Sequence, residues 1–143
     1  KETAITAYRS ELGLLTTLTQ LQAVSITTAV MPDAVLSNLK SLTILNLKSN
    51  ALSALPPSIS SLTSLVSLNI ASNLITTLPA LFSQLINLKN LDMSGNEFDC
   101  LSLNTIAIMN IPLVKAAISV CHPAAHLDSK IEMTYYIIAT ATY

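Results

Sequence analysis

Apolar residues in this chain follow neither a helical nor a strand period for long. In LTILNLKSNALSALPPSI, residues 42–59, leucines recur at spacings of three and then two, followed by an asparagine and a Leu-Pro-Pro. A helical face repeats at about 3.6 residues and a half-buried strand at two. A mixture of both implies a short strand that turns at once into an irregular arc. The unit Leu42-x-x-Leu45-x-Leu47-x-x-Asn50-x-Leu52 returns as Leu65-x-x-Leu68-x-Ile70-x-x-Asn73-x-Ile75 and as Leu88-x-x-Leu91-x-Met93-x-x-Asn96-x-Phe98. The steps from Leu45 to Leu68 and from Leu68 to Leu91 are both 23 residues. A weaker copy reads Leu21-x-x-Val24-x-Ile26-x-x-Ala29-x-Met31, at a step of 21 from Val24 to Leu45. Fixed periods of this size mark stacked repeat architectures, whose end units are atypical.

Side chains alternate along a strand, so Leu45 and Leu47 share one side of it. Stacked copies then form a parallel sheet with the leucines inward. Leu52, Leu55, Ile59 and Leu62 close the coil from the return arc. Pro56, Pro57 and Pro79 suit that arc, because proline favours an extended backbone and needs no ladder partner.

The pattern resembles the leucine-rich repeat family, with Leu52-Ser-Ala-Leu55-Pro56-Pro57-Ser-Ile59 and Ile75-Thr-Thr-Leu78-Pro79 resembling the L-x-x-L-P-x-x-I form of its 23-residue repeats. The resemblance covers about residues 15–101. It implies an α/β solenoid, a right-handed superhelix with short parallel strands on the concave face and irregular or 3-10 arcs on the convex face. It also implies that Asn50, Asn73 and Asn96 form a buried structural ladder bonded to the backbone. One domain over 1–143 is expected: an N-terminal cap at 1–20, four repeats at 21–101, and degenerate repeats with a C-terminal cap at 102–143.

The ends depart from the pattern. Ile5, Tyr8, Leu12 and Leu15 share a helical face, with Thr3 as a cap, which predicts a short capping helix. After Asn96 the arc lacks Leu-Pro. A degenerate rung reads Leu113-x-x-Ala116-x-Ile118-x-x-Cys121, 25 residues from Leu91 to Ala116. MTYYIIATATY, residues 133–143, is rich in β-branched and aromatic residues and reads as a strand, either a further rung or an edge for another chain.

Composition narrows the function. Charged residues are 10% of the chain, the formal net charge is −1, and Ser and Thr make up about a fifth. A typical soluble domain carries about 25% charged residues. With no basic stripe and no Trp, nucleic acid is excluded as a partner. No apolar run reaches about 18 residues, so no membrane insertion is expected. The residues given hold no signal-peptide pattern, which leaves open whether the chain is mature or trimmed.

Catalytic constellations do not assemble. Gly13 and Gly95 are the only glycines, too few for a phosphate loop. Cys121, His122, His126 and Asp128 cluster, but Pro123 disfavours a helix presenting both histidines, and no second motif supports a metal. No cofactor is expected, and the chain reads as a non-enzyme. Cys100 and Cys121 are either bridged, as the resemblance to extracellular members implies, or two buried thiols with Cys121 at the asparagine position. No asparagine begins a glycosylation sequon, while O-linked sugars stay open.

The concave face is the family's usual binding surface. Its candidate residues are Ser25, Asn46, Asn69 and Asp92 in a central column, flanked by Thr27, Lys48, Ala71 and Ser94 on one side and Ala23, Ile44, Ser67 and Asn90 on the other. From these, Ser25, Asn46, Lys48, Asn69, Asn90 and Asp92 are the expected contacts. The expected function is a non-catalytic binding or scaffolding module for a protein or a glycan. The alternative is a structural protein that assembles with itself through open solenoid ends and the C-terminal strand. Location is expected to be extracellular or at the cell surface, with the cytoplasm as the alternative.

Overall fold

A computed structural model of the chain describes residues 2–4, 10–27, 29–98, 102, 109 and 111–115. Among the described residues, six three-residue strands form one parallel sheet in chain order: β1 (Glu2–Ala4), β2 (Gln20–Gln22), β3 (Ile44–Asn46), β4 (Ser67–Asn69), β5 (Asn90–Asp92) and β6 (Leu113–Lys115). Between them run the 3-10 helices η1 (Ser10–Leu14), η2 (Pro57–Ser61) and η3 (Phe82–Gln84) and the α-helical turn α1 (Asp33–Leu36). These arc elements touch in sequence, η1 on α1, α1 on η2, η2 on η3.

The inward ladder is Leu21, Leu45, Leu68 and Leu91, paired in register and 0–1% exposed. Each contributes about 1.5–3 kcal/mol by burial. Leu47, Ile70 and Met93 lie beside it, and Leu36, Ile59 and Phe82 meet it from the arc, all buried. Pro56 (φ −67°, ψ 147°) holds the extended conformation expected of the Leu-Pro segment, as does Pro32 (φ −64°, ψ 129°) after Met31, whereas Pro57 opens the 3-10 helix η2. Where Pro79 would recur 23 residues on, Ser102 is buried and its Oγ accepts a hydrogen bond from the Leu78 N–H at 2.9 Å.

The asparagine ladder works as a set of internal connectors. Asn73 Oδ1 accepts from the Leu52 N–H at 3.1 Å, and its Nδ2 donates to the carbonyls of Leu47 at 3.0 Å and Ile70 at 2.9 Å. Asn96 repeats this one rung on, with the Ile75 N–H at 3.0 Å and the carbonyls of Ile70 at 2.8 Å and Met93 at 3.2 Å. Asn50 accepts from the Ile26 N–H at 2.9 Å and donates to Ala23 at 2.7 Å and Leu47 at 2.8 Å. A buried amide is stable only when its donors and acceptors are met. Here each side chain joins its own coil to the preceding one.

The first rung corrects the sequence register. Leu21, not Val24, pairs with Leu45, a step of 24 residues, and Val24 is 42% exposed. The motif copy is therefore Leu18-x-x-Leu21-x-Ala23, with Leu18 and Ala23 buried, and Ile26 stands at the asparagine position. The additional residue is taken up in the arc. There α1 closes an α-helical bond from the Ser37 N–H to the Asp33 carbonyl, while the next arc closes tighter bonds such as Leu62 N–H to Ile59 O. An α turn takes 3.6 residues and a 3-10 turn three, so the wider turn accommodates a longer repeat without shifting the sheet.

The ends differ from expectation as well. The expected capping helix falls largely on residues 5–9, outside the described residues; on either side of them stand the strand Glu2–Ala4, in register with β2 (Thr3 opposite Leu21), and the 3-10 helix η1. At the other end, Val114 pairs with Leu91, a step of 23, rather than Ala116 at 25. The expected motif residues Ile118 and Cys121 and the strand at 133–143 lie outside the described residues, as do Cys100, His122, His126 and Asp128.

A column of left-handed residues ends each strand turn: Ser25 (φ 56°), Ser49 (φ 57°), Ser72 (φ 56°) and Gly95 (φ 66°). Outside glycine this conformation costs roughly 1–2 kcal/mol per residue. Its recurrence at steps of 24, 23 and 23 confirms the corrected register independently of the leucines.

Candidate functional site

The outward side of the sheet is set by the same alternation that buries the leucines. In register, its central column is Gln22, Asn46, Asn69 and Asp92. The flanking column is Gln20, Ile44, Ser67 and Asn90. Beyond the strands lie Val24, Lys48, Ala71 and Ser94.

Of the expected contacts, Asn46, Asn69 and Asp92 fall in the central column and are half-buried, with Asn90 and Lys48 exposed on its two sides. Ser25 does not join them. It occupies the left-handed turn column, and Gln22 takes the place assigned to it. Ala23, expected on the flank, is fully buried, and Gln20 stands there instead. Thr27 is likewise displaced by Val24. These substitutions follow from the register of rung one: a shift of an odd number of residues turns every side chain to the opposite face. The signal that would have found Gln20 and Gln22 is Leu18, three residues before Leu21 just as Leu42 precedes Leu45.

The central polar side chains are held by the backbone. Asn46 Oδ1 accepts from the Lys48 N–H at 3.1 Å, and Asn69 Oδ1 from the Ala71 N–H at 3.0 Å. Asp92 Oδ1 accepts from the Ser94 N–H at 3.2 Å and the Ser94 hydroxyl at 2.7 Å. Each is a side-chain turn closing on residue i+2, which freezes the strand end and the rotamer together. The outward amides are thus pre-positioned.

Apolar surface is uneven. Val24 and the half-buried Ile44 lie near rungs one and two, whereas the β5 side offers Asn90 and Asp92. On the arc side, two shallow clefts of about 300 and 330 Å3 lie between successive proline-bearing arcs, the first around Leu55, Pro57, Leu78 and Pro79 and the second around Met31, Pro32, Leu55 and Pro56. Among the described residues no group of His, Cys, Asp and Glu could hold a metal, and no helix is long and apolar enough to cross a membrane.

Comparison with known proteins agrees with this geometry. The leucine-rich repeat profile matches residues 16–75 and 40–98, together more than half of the chain. A leucine-rich repeat protein of Leptospira interrogans is similar in structure, with 24% identity, a TM-score of 0.60, and coverage of 81% of this chain and 36% of that one. An internalin from Listeria monocytogenes is similar at 20% identity and a TM-score of 0.57, over 78% of this chain and 33% of its own. The chain therefore spans about a third of the length of these solved structures. Among curated protein sequences none matches. The repeat, the in-register ladder and the asparagine connectors all coincide with the matched segment, and the chain belongs to the leucine-rich repeat family.

Proposed function

We propose that the chain is a non-catalytic protein-interaction module whose binding surface is the outward face of the sheet, centred on Asn46, Asn69 and Asp92. The observation that carries this is the fixed orientation of those three side chains by bonds to Lys48, Ala71 and Ser94. A rigid polar face loses little conformational freedom on binding, and preorganisation of this kind raises affinity. The family's character as binding modules supports the same reading. The coil is taken as one solenoid domain, right-handed as crossovers between parallel strands are. An extracellular or cell-surface location fits the charge-poor, hydroxyl-rich composition, and a glycan partner is a variant of the same reading.

The test places a photo-crosslinking residue at Asn69 and, separately, at exposed Ser83 on the arc. The reading expects partner adducts from position 69 and not from 83. Equal adducts from both would overturn it.

A second reading is self-assembly. It rests on exposed aliphatic side chains at Leu14, Val30, Leu74, Leu81 and Ile86 on a chain with 10% charge. Sedimentation velocity across micromolar concentrations distinguishes the two. A concentration-independent monomer counts against assembly, and growing species count for it.

A further inference from the structure

The hydrogen bonds that hold the central column also fix which atoms it offers to a partner. The amides of Asn46 and Asn69 can be oriented only one way, because a backbone N–H must meet an oxygen. Both Oδ1 atoms are thereby occupied, and Nδ2 of each donates to no other group among the described residues. Rungs two and three therefore present two adjacent N–H2 donors, about 4.8 Å apart at parallel-strand spacing. Lys48, exposed, adds a cation beside them. One rung on, Asp92 reverses the sign, with Oδ1 engaged by Ser94 and a carboxylate charge remaining. Val24 and Ile44 supply apolar contact at the opposite end.

Resting on the interaction-module reading, we propose that this face takes a protein segment of alternating charge: an acidic side chain seated over Asn46, Asn69 and Lys48, and a basic one over Asp92. A carboxylate has two oxygens and can accept from both Nδ2 groups at once. Charge-assisted bonds of this type are about twice as strong as neutral ones. A uniform polyanion, such as a sulfated glycan, would lay like charge over Asp92 and is disfavoured.

The experiment selects a displayed library of random twelve-residue peptides against the immobilised full chain. Retained peptides are then measured by fluorescence anisotropy against variants. Asn46→Asp and Asn69→Asp keep the Oδ1 acceptor and convert the outward donor into an acceptor, so the fold is retained and only the offered chemistry changes. We expect retained peptides to be enriched in an Asp or Glu followed by a Lys or Arg. Each Asn→Asp change should weaken them about tenfold or more, and Asp92→Asn should abolish the preference for the basic residue. Ile44→Arg blocks the face by bulk and separates the two levels of the argument. Peptides insensitive to Ile44→Arg, or neither retained peptides nor heparin binding, would overturn the outward-face reading and this inference with it. Peptides lost with Ile44→Arg yet lacking acidic enrichment, or indifferent to Asn69→Asp, would overturn this inference alone. Heparin binding that Asn69→Asp weakens, without peptide binding, would replace the protein segment by an anionic glycan and would also overturn it.

Discussion

Replacing Asn73 by Ala removes one side chain that serves two coils. Its Oδ1 is the acceptor for the Leu52 N–H, and its Nδ2 serves Leu47, Ile70 and, at 3.2 Å, Ala71. The carbonyls do not become orphans. Leu47 O keeps Asn50 at 2.8 Å, Ile70 O keeps Asn96 at 2.8 Å, and Ala71 O keeps the Ser49 N–H at 2.9 Å. The Leu52 N–H alone loses its only partner, on a residue that is fully buried. An orphaned buried donor costs about 1–3 kcal/mol, and the lost second bonds add about 0.5 kcal/mol each. The sum is about 3 kcal/mol. For a chain of this length, total stability is about 7–20 kcal/mol, so the change is readily measured. Asn50→Ala should cost less, about 1–2 kcal/mol, because that site is only half-buried and water reaches the vacated groups. The assay is urea unfolding followed by circular dichroism, read at matched m-values. A loss below about 1 kcal/mol for Asn73→Ala, or a larger loss for Asn50→Ala, would refute the view that these amides connect the coils.

Further outcomes test other parts of the structure. Leu21→Ala should destabilise by about 2–5 kcal/mol, while Val24→Ala should change stability by less than about 0.5 kcal/mol in the same unfolding assay. The reverse order would restore the uncorrected register. Gly95→Ala puts a Cβ 3.3 Å from the Ser72 Cα at φ 66° and should lower stability by about 1–2 kcal/mol, visible as a drop in Tm. Ser60 carries a buried hydroxyl without a hydrogen-bond partner among the described residues, so Ser60→Ala should raise stability by about 1 kcal/mol. In Asn73→Asp, a carboxylate would face the Leu47 and Ile70 carbonyls, which favours the protonated form in the folded state. Its folded-state pKa is then raised above the unfolded one, and its stability relative to the parent should improve as pH falls and worsen as pH rises.

The three middle rungs were legible because each carries large apolar residues at every ladder position and an asparagine at a fixed offset. The step of 23 then fixed Leu45, Leu68 and Leu91 together with Asn46, Asn69 and Asp92. Rung one misled because Leu21-x-x-Val24-x-Ile26 imitates the motif as well as Leu18-x-x-Leu21-x-Ala23 does. The pairing of Leu21 with Leu45 and the left-handed column starting at Ser25 decide between them, and the α turn at Asp33–Leu36 absorbs the additional residue. The strand Glu2–Ala4 was hidden because Thr3 replaces the ladder leucine. A three-residue strand with no apolar signature draws its order from the neighbouring rung, not from its own sequence. The left-handed serines were invisible for another reason: Ser25, Ser49 and Ser72 do not announce a positive φ as Gly95 does. The donor and acceptor polarity of the sheet's outward face could not be read from composition either, since it depends on which oxygen each turn occupies.

All of this placement depends on rung one being stacked on rung two through Leu21. Methyl-to-methyl nuclear Overhauser contacts in a leucine- and valine-labelled sample measure that directly, without altering the chain. The account predicts contacts linking Leu21 to Leu45, Leu45 to Leu68 and Leu68 to Leu91, with Val24 absent from the series. Contacts from Val24 to Leu45, with none from Leu21, would contradict it and return Ser25 to the outward face in place of Gln22.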